Sequence, residues 1–296
     1  IMKKLAVIND LSGTGRCSLT AALPVISVMG VQACPVPTAV LSSQTGYASY
    51  FYEDLTDRMA GYRREWEKLP FTCDGIFAGY MSGPAQIRET EKFLDDFAGP
   101  ETLVLIDPVM GDNGRVHHMY SPPFAEGMRR LVKRAKAATP NLTEALLLLY
   151  DRQGMEEMWN KIAEADPAGQ KKLCEETGTS LREVFGLETA VITGIDAAGD
   201  GKEAGIANLI ADDRGAQWIV SPKYGGSYSG TGDLFASVLA AGLVQGLPAD
   251  RCVRLAVSFL EKAIRDTVLE KTDRNEGVCF ERYLWELGRE VHREIY

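Results

Sequence analysis

Short apolar runs alternate with longer amphipathic stretches along most of the chain. The apolar runs are residues 5–9, 32–40, 75–80, 102–109 and 189–195. Stretches with helical periodicity lie at 53–69, 84–98, 122–135, 232–246, 249–270 and 280–291. Near-continuous apolar strands separated by helices are typical of a parallel sheet that is covered on both faces. The pattern therefore predicts an α/β protein with a mostly parallel central sheet and helices on both faces.

Two segments depart from this alternation. Residues 203–211 and 216–222 are β-like and follow each other without a helix, which predicts a hairpin at one edge of the sheet. Residues 150–185 form a polar, charged insertion, in which residues 164–169 (Glu-Ala-Asp-Pro-Ala-Gly) predict a turn between two helices. Because the chain shows neither an internal repeat nor a low-complexity linker, we expect a single domain over residues 1–296.

Charge and cysteine usage narrow the class of protein. A formal net charge of −9 argues against a nucleic-acid partner, because binding to phosphates needs a basic face. The six cysteines are scattered and only three histidines occur, so no zinc site with the usual spacing is expected. Such cysteines are typical of reduced thiols in a cytoplasmic protein. No apolar stretch reaches membrane-spanning length, so we expect a soluble protein without a membrane partner.

A glycine-containing loop follows the first apolar run, at residues 9–18. Gly13, Gly15 and Ser18 nearly match the fingerprint of dinucleotide-binding proteins. That fingerprint also requires an acidic residue about 20 positions later, to hold the ribose. Residues 17–52 contain no charged side chain, so the sequence does not support a dinucleotide-dependent dehydrogenase.

The uncharged segment itself has two explanations. A buried helix and strand, followed by an aromatic cluster at residues 41–52, would account for most of it. The alternative is a pocket wall for a small, flat, mostly uncharged ligand, with polar contacts from Ser43, Gln44 and Thr45. The sequence leaves both open.

Carboxylates follow the run at 102–109. Asp107 ends this run, and Asp112 lies five residues later in a turn rich in Gly and Asn. Aspartate is common in turns, but two carboxylates at the ligand-binding edge of a sheet also suit Mg²⁺. Asn141 and Glu144 have the spacing of a capping box, and Glu144 could equally extend a metal site.

Residues 224–246 place four glycines and one acid in front of an apolar helix. A plain helix start would explain Asp233, since Asp is a favoured N-cap. Gly230, Thr231 and Gly232 could instead present backbone N–H groups to an anion. Asp233 would repel a phosphate unless it accepts a proton from an attacking hydroxyl. Together with a divalent metal, these features favour phosphoryl transfer without a phosphate-binding loop of the Gly-x-x-x-x-Gly-Lys type.

Several segments, in order between residues 5 and 246, resemble a known superfamily. Residues 229–237 (Ser-Gly-Thr-Gly-Asp-Leu-Phe-Ala-Ser) resemble the Gly-Thr-Gly-Asp signature of the ribokinase-like superfamily, in which the Asp is the catalytic base. Residues 107–114 and 139–145 resemble the branch that phosphorylates vitamin B6 compounds and the thiamine pyrimidine. Residues 42–47 (Ser-Ser-Gln-Thr-Gly-Tyr) are similar to the Ser-Asn-His-Thr-Gly-Tyr stretch of pyridoxal kinases, apart from the two middle positions.

The resemblance implies roles for individual residues. Asp233 is implied as the base toward a 5′-hydroxymethyl group. The residues implied as the anion hole are Gly230, Thr231 and Gly232. Those implied to act on Mg-ATP, directly or through water, are Asp112 and Glu144, with Asn141 and Thr193 at the nucleotide phosphates. Those implied to surround a pyridine ring are Asp10, Ser12, Thr45 and Tyr80, with Tyr120 as a further aromatic candidate.

The resemblance further implies a ribokinase-like three-layer sandwich without a separate lid domain, and a cytoplasmic homodimer. ATP and Mg²⁺ are the implied cofactors, and a monovalent-cation requirement stays open. The implied substrate is a vitamin B6 vitamer, whether pyridoxal, pyridoxamine or pyridoxine. Residues 10–15 resemble the loop of hydroxymethylpyrimidine kinases more closely, so that activity is an alternative. A catalytically silent protein that binds a vitamer or a nucleotide is a second alternative.

Overall fold

A computed structural model describes residues 2–198 and 204–295. Residue 203, where the predicted hairpin begins, lies outside the described residues. The chain forms two compact units, the first of Ile1–Leu103 with Tyr224–Tyr296 and the second of Val104–Lys223. Within the described ranges, no helix combines the length and the apolar character needed to cross a membrane.

Strands and helices alternate as the sequence predicts. In chain order the strands are β1 (Lys4–Ser12), β2 (Gln32–Leu41), β3 (Tyr52–Asp54), β4 (Gly75–Ala78), β5 (Leu103–Ile106), β6 (Gly111–Asp112), β7 (Arg115–Val116), β8 (Ala137–Ala138), β9 (Thr189–Ala198), β10 (Ala204–Asp212) and β11 (Gly215–Pro222). The helices are α1 (Ser18–Val28), α2 (Thr56–Glu67), α3 (Pro84–Phe97), α4 (Pro122–Val132), α5 (Leu142–Leu149), α6 (Arg152–Glu164), α7 (Pro167–Phe185), α8 (Thr231–Val244), α9 (Ala249–Leu269) and α10 (Leu284–Ile295), with short 3-10 turns at Arg274–Glu276 and Glu281–Tyr283.

In the first unit the strand order is β4-β1-β2-β3. Strand β1 pairs in parallel with both β2 and β4, and β3 pairs antiparallel with β2. Because β1 has a neighbour on each side, its apolar segment Leu5–Ile8 is fully buried. In the second unit the order is β11-β10-β9-β8-β5, with β5, β8 and β9 parallel. The prediction of an α/β fold with a mostly parallel central sheet is confirmed.

Two predicted elements of the second unit are also confirmed. Strands β10 and β11 form an antiparallel hairpin, and β10 pairs antiparallel with β9. The polar insertion at 150–185 consists of α6 and α7, and the turn between them contains Asp166. The side chain of Asp166 accepts a hydrogen bond from the Gly169 amide at 2.7 Å and thereby caps α7.

Two predicted helix starts are wrong. The helix expected over 53–69 begins only at Thr56, because the preceding residues form β3 on the edge of β2. Asp54 then accepts a hydrogen bond from the Thr56 amide at 2.7 Å, which turns the chain from strand into helix. The helix expected over 280–291 begins as a 3-10 turn and becomes α-helical only at Leu284.

Helix α8 is buried over most of its length within the first unit. It contacts α1, α9 and β4. Every residue of 234–242 is buried. A helix that is covered on all sides needs apolar residues all round, which explains why the sequence after Asp233 is apolar except for Ser237.

Candidate active site

Helix α8 begins at a left-handed glycine. Gly230 is the N-cap residue and has a φ of 78°. A Cβ atom at this position would lie 1.9 Å from the carbonyl oxygen of Arg16, so no other residue fits there without displacing the backbone. At Gly232, in contrast, a Cβ atom would meet no atom within 4 Å. The first N–H groups of α8 are therefore approachable, as the predicted anion hole requires.

Asp233 is the third residue of α8, so the explanation of this acid as a plain N-cap is wrong. Hydrogen bonds from β1 and from the start of α1 hold its carboxylate. Oδ1 of Asp233 accepts a hydrogen bond from Nδ2 of Asn9 at 3.0 Å. The backbone N–H of Ser18 donates a second hydrogen bond to the same carboxylate. Contacts with distant residues, rather than its own helix, fix this side chain.

The surroundings of Asp233 make it a stronger base than an ordinary aspartate. The residue as a whole is half-buried, but its carboxylate lies deep enough that burial raises its pKa to about 6. The amide of Ser18 lowers this pKa, the nearby carboxylate of Asp10 raises it, and the side chain of Asn9 lowers it. A carboxylate with this pKa is ionised at neutral pH and matches the requirements of a general base.

If Asp233 is the base, the pH profile of kcat/KM should have an acidic limb near pH 6. The carboxylate accepts a proton only when ionised, so the rate should fall about tenfold per pH unit below that value. Steady-state rates between pH 4.5 and 8, with thermal unfolding measured over the same range, would test this. A limb near pH 4 in a protein that stays folded would contradict the raised pKa.

The connection from β1 into the first residue of α1 carries backbone strain. Arg16 and Ser18 are not glycines, yet their φ angles are 45° and 51°. Such left-handed residues cost on the order of 1–3 kcal/mol each and cluster at functional sites. Here the strained backbone directs the amide of Ser18 to Asp233, and Oγ of Ser18 donates to Asp10 Oδ1 at 2.5 Å.

Two of the predicted ring-binding residues lie beside Asp233. Asp10 and Ser12 are buried, and Oγ of Ser12 donates to Asp10 Oδ2 at 2.9 Å. Burial raises the pKa of Asp10, whereas the hydroxyls of Ser18 and Ser12 lower it. Both oxygens of Asp10 are therefore engaged by serine hydroxyls, one from the end of β1 and one from the start of α1.

Tyr80 and Thr45 differ in their surroundings. Tyr80 follows β4, and its amide donates to Oδ1 of Asn9 at 3.0 Å. Burial raises the pKa of the half-buried Tyr80 phenol, and the neighbouring Tyr52 and Asp10 raise it further. Thr45 is exposed in the loop after β2.

Gln44, considered above as a polar contact for a ligand, is engaged within the protein. Its Nε2 donates to the carbonyl oxygen of Asn275 at 3.3 Å, and its Oε1 accepts from the Gly46 amide at 2.7 Å. Nδ2 of Asn275 in turn donates to the carbonyl oxygen of Gly46 at 3.1 Å. The segment around Asn275 was missed by sequence reasoning, because it carries no motif of its own.

In the second unit, Asn141 and Glu144 form the capping box that their spacing predicts. Oδ1 of Asn141 accepts from the Glu144 amide at 3.0 Å, and Oε2 of Glu144 accepts from the Asn141 amide at 2.9 Å. Oε1 of Glu144 also accepts from the Met110 amide at 3.1 Å. The buried glutamate thus joins the start of α5 to the chain after β5.

Glu144 has a second buried carboxylate as its neighbour. Burial raises the pKa of Glu144 well above its ordinary value, and the nearby Asp107 raises it further. Asp107 is buried too and accepts from Oγ1 of Thr139 at 3.1 Å. Two neighbouring carboxylates supply the hard oxygen donors that Mg²⁺ prefers, and such a cation would favour their ionised forms. Over residues 2–198 and 204–295, no cluster of three or more His, Cys, Asp or Glu could hold a metal.

The remaining predicted nucleotide residues lie near the capping box. Asn141 pairs with Thr193 in a parallel bridge, and Nδ2 of Asn141 donates to the carbonyl oxygen of Gly111 at 2.8 Å. The next residue, Asp112, is exposed, and its carboxylate accepts from the amide and the side chain of Asn113 at 2.9 and 2.8 Å. The second unit therefore brings Asn141, Glu144 and Thr193 together.

Tyr120 lies in the second unit, shortly before α4, and is half-buried. Its amide donates to the carbonyl oxygen of His117 at 3.1 Å. Burial raises the pKa of its phenol. These contacts hold the segment before α4. The role of Tyr120 at the ring stays a prediction.

Known proteins resemble this chain over nearly its full length. A pyridoxine/pyridoxal/pyridoxamine kinase of Bordetella avium is 28% identical, over 86% of this chain and 82% of its own. A candidate phosphomethylpyrimidine kinase of Bacteroides thetaiotaomicron, in a crystal form with pyridoxal, is 34% identical, with a TM-score of 0.84 and coverage of 97% of this chain and 96% of its own. The pyridoxal kinase of Lactobacillus plantarum is 26% identical, with a TM-score of 0.82 and full coverage of both chains (100%).

A family model agrees with these likenesses. The model, described as phosphomethylpyrimidine kinase, matches residues 12–277, a range that includes the Gly230 turn, Asp233 and the capping box of Glu144. The predicted resemblance to the ribokinase-like superfamily is thereby confirmed. The chain belongs to the phosphomethylpyrimidine kinase family, which is one of the ribokinase-like families.

Proposed function

We infer that this protein transfers the γ-phosphoryl group of ATP to the 5′-hydroxymethyl group of a vitamin B6 vitamer. The observation that carries this inference is the carboxylate of Asp233, which combines a pKa of about 6 with a place beside the approachable first N–H groups of α8. The likeness to kinases named for pyridoxal, pyridoxine and pyridoxamine supports the acceptor.

The reaction needs a proton acceptor and an anion-stabilising group, and α8 offers both. Asp233 accepts the proton as the O–H bond of the hydroxymethyl group breaks. The new bond forms between that oxygen and the γ-phosphorus, and the bond from this phosphorus to the bridging oxygen breaks to release ADP. The N–H groups of Gly230, Thr231 and Gly232 stabilise the charge on the transferring group.

We propose that carboxylates of the second unit hold a magnesium ion, which would supply charge neutralisation on the ATP phosphates when bound. Glu144 and Asp112 are the residues that would hold it, directly or through water. Asn141 and Thr193 would bind the nucleotide phosphates. The buried Asp107 adds negative charge beside Glu144, which strengthens the attraction for a divalent cation.

The proposed ring pocket combines neutral and acidic groups. Asp10 and Ser12 present a buried polar wall, and the phenol of Tyr80 lies close enough to Asp10 for its pKa to respond to that carboxylate. Thr45 belongs to the same set by resemblance, and a role of Tyr120 at the ring stays a prediction. We also propose that the chain forms a single domain, is cytoplasmic and acts as a homodimer. Light scattering on the purified protein would test the homodimer.

A second acceptor has specific support. The matching family model is described as phosphomethylpyrimidine kinase, and residues 10–15 resemble the loop of hydroxymethylpyrimidine kinases. Hydroxymethylpyrimidine is also a flat heterocycle with a primary alcohol, so the same base and anion hole would serve it.

A panel of acceptors separates these possibilities. ADP release would be measured with pyridoxal, pyridoxamine, pyridoxine and hydroxymethylpyrimidine at equal concentrations and saturating Mg-ATP. We expect the highest kcat/KM with one of the three vitamers. A preference for hydroxymethylpyrimidine would show that the pyrimidine is the substrate. ADP release with none of the four acceptors would refute both kinase activities.

A further inference from the structure

Asn9 lies within β1 (Lys4–Ser12) and has no role in the function proposed so far. The residue is completely buried, with 0% of its surface exposed. Its Nδ2 donates to Asp233 Oδ1 at 3.0 Å. Its Oδ1 accepts from two backbone amides, those of Asp10 and Tyr80, each at 3.0 Å. The side-chain amide of Asn9 therefore uses both its donor and its acceptor.

The two accepted hydrogen bonds fix the orientation of the Asn9 amide. Rotating it by half a turn would point Nδ2 at two N–H groups and Oδ1 at a carboxylate, which opposes donor to donor and acceptor to acceptor. A Cβ atom at Gly79 would lie 2.8 Å from Nδ2 of Asn9, so glycine at that position leaves the room that this orientation needs. The donor is thereby directed at Asp233.

The carboxylate of Asp233 needs such a donor, because rotation about the last bond of an aspartate side chain meets only a low barrier. A general base is effective only when its lone pair points at the proton that it removes. Asn9 holds Oδ1, and the amide of Ser18 provides the other hydrogen bond. The two donors come from β1 and from the first residue of α1.

We propose that Asn9 is a positioning residue, which fixes the rotation of the Asp233 carboxylate and couples it to the backbone of Asp10 and Tyr80. The proposal rests on the proposed role of Asp233 as the base. Asp10 and Tyr80 are also among the proposed ring-binding residues. The buried side-chain amide of Asn9 would therefore fix the position of the base relative to the pocket wall.

The charges around Asp233 make this donor important for its protonation as well. Among the residues that the structure describes, the ionisable groups that interact with it are Asp10, in β1, and Cys17, just before α1. Burial raises the pKa of Cys17 to about 12, and the carboxylates of Asp233 and Asp10 raise it further, so this thiol is neutral at working pH. Asp10 opposes the ionised form of Asp233, whereas Asn9 favours it.

The test replaces the donor with an acceptor. In Asn9→Asp, one oxygen can still accept from the amides of Asp10 and Tyr80, while the other faces the carboxylate of Asp233. Two carboxylates at hydrogen-bonding distance share a proton, and the pair loses this last proton at a higher pH than Asp233 does beside Asn9. The acidic limb of kcat/KM, which follows full ionisation of the pair, should therefore move up by about one pH unit or more.

Gln86→Glu is the matched control. Gln86 is also completely buried in the first unit, where its side chain accepts from the Ser82 amide and donates to the carbonyl oxygen of Thr38. It undergoes the same amide-to-acid change without a hydrogen bond to Asp233, and its acidic limb should match that of the unchanged protein. An unshifted limb in Asn9→Asp, or an equal shift in both variants, would overturn the proposal.

A measurement on the unchanged protein covers the case in which Asn9→Asp does not fold. With asparagine labelled selectively with ¹⁵N, the side-chain resonance of Asn9 should shift with pH, with its midpoint at the acidic limb. Asp233→Asn should abolish this titration, and a resonance that does not titrate would overturn the proposal. Asp233→Asn with unchanged kcat would instead refute Asp233 as the base, which separates the two failures.

Discussion

Asp233→Asn should fold, bind ATP and turn over more slowly by a factor on the order of 10²–10⁴. The substitution keeps the size of the side chain, and its oxygen can still accept the hydrogen bond from Asn9. What it removes is the proton acceptor, whereas the N–H groups at the start of α8 remain. The loss should therefore appear in kcat and leave KM for ATP almost unchanged.

Asp57→Asn controls for the loss of a negative charge in the first turn of a helix. Asp57 is an exposed residue in the first turn of α2 and has the same favourable position relative to the helix dipole as Asp233 in α8. This variant should lose a few tenths of a kcal/mol of stability at most and keep its kcat. If both variants lost activity equally, or if Asp233→Asn kept near-normal kcat, Asp233 would not be the base.

The strands and most helices could be predicted because their signal is local. Apolar runs such as Leu5–Ile8 are buried where the periodicity predicts burial. Strand β3 was missed because its sequence, Tyr-Glu-Asp, is mostly polar and forms a strand only through pairing with β2. Strand formation of this kind depends on a tertiary partner more than on propensity.

The surroundings of Asp233 depend on contacts between residues that are far apart in sequence. The glycines before it predicted an anion-binding turn, but the close approach of Gly230 to the Arg16 carbonyl, far away in sequence, appears only in the fold. Asn9 escaped notice for the same reason, since its hydrogen bond to Asp233 joins residues 224 positions apart. A polar residue at the carboxyl end of a buried parallel strand was the available signal.

For Glu144 the structure confirms one of the two explanations, and the other stays a prediction. The sequence left a helix cap and a metal ligand as alternatives. The structure shows the complete capping box, and it also places the carboxylate against the amide of Met110 and beside Asp107. A residue that only caps a helix does not need a second buried acid as its neighbour.

Glu144→Ala should therefore change two quantities at once. It leaves the buried amides of Asn141 and Met110 without their acceptor, which should cost about 1–3 kcal/mol of unfolding free energy. Relief of the repulsion from Asp107 offsets part of this cost, so we expect a value in the lower half of that range. The Mg²⁺ concentration for half-maximal rate should rise about 10–100-fold, and excess Mg²⁺ should partly restore kcat.

Asp151→Ala isolates the effect of losing a cap. Asp151 caps α6 in the same unit by accepting from the Gly154 amide at 2.8 Å, and it is exposed. Its removal should cost about 1 kcal/mol and leave the Mg²⁺ dependence unchanged. Urea unfolding and rates measured over a range of Mg²⁺ concentrations would compare the two variants. If Glu144→Ala lost stability but kept the Mg²⁺ dependence of the unchanged protein, Glu144 would serve as a cap alone, and the metal would have to be held by other carboxylates.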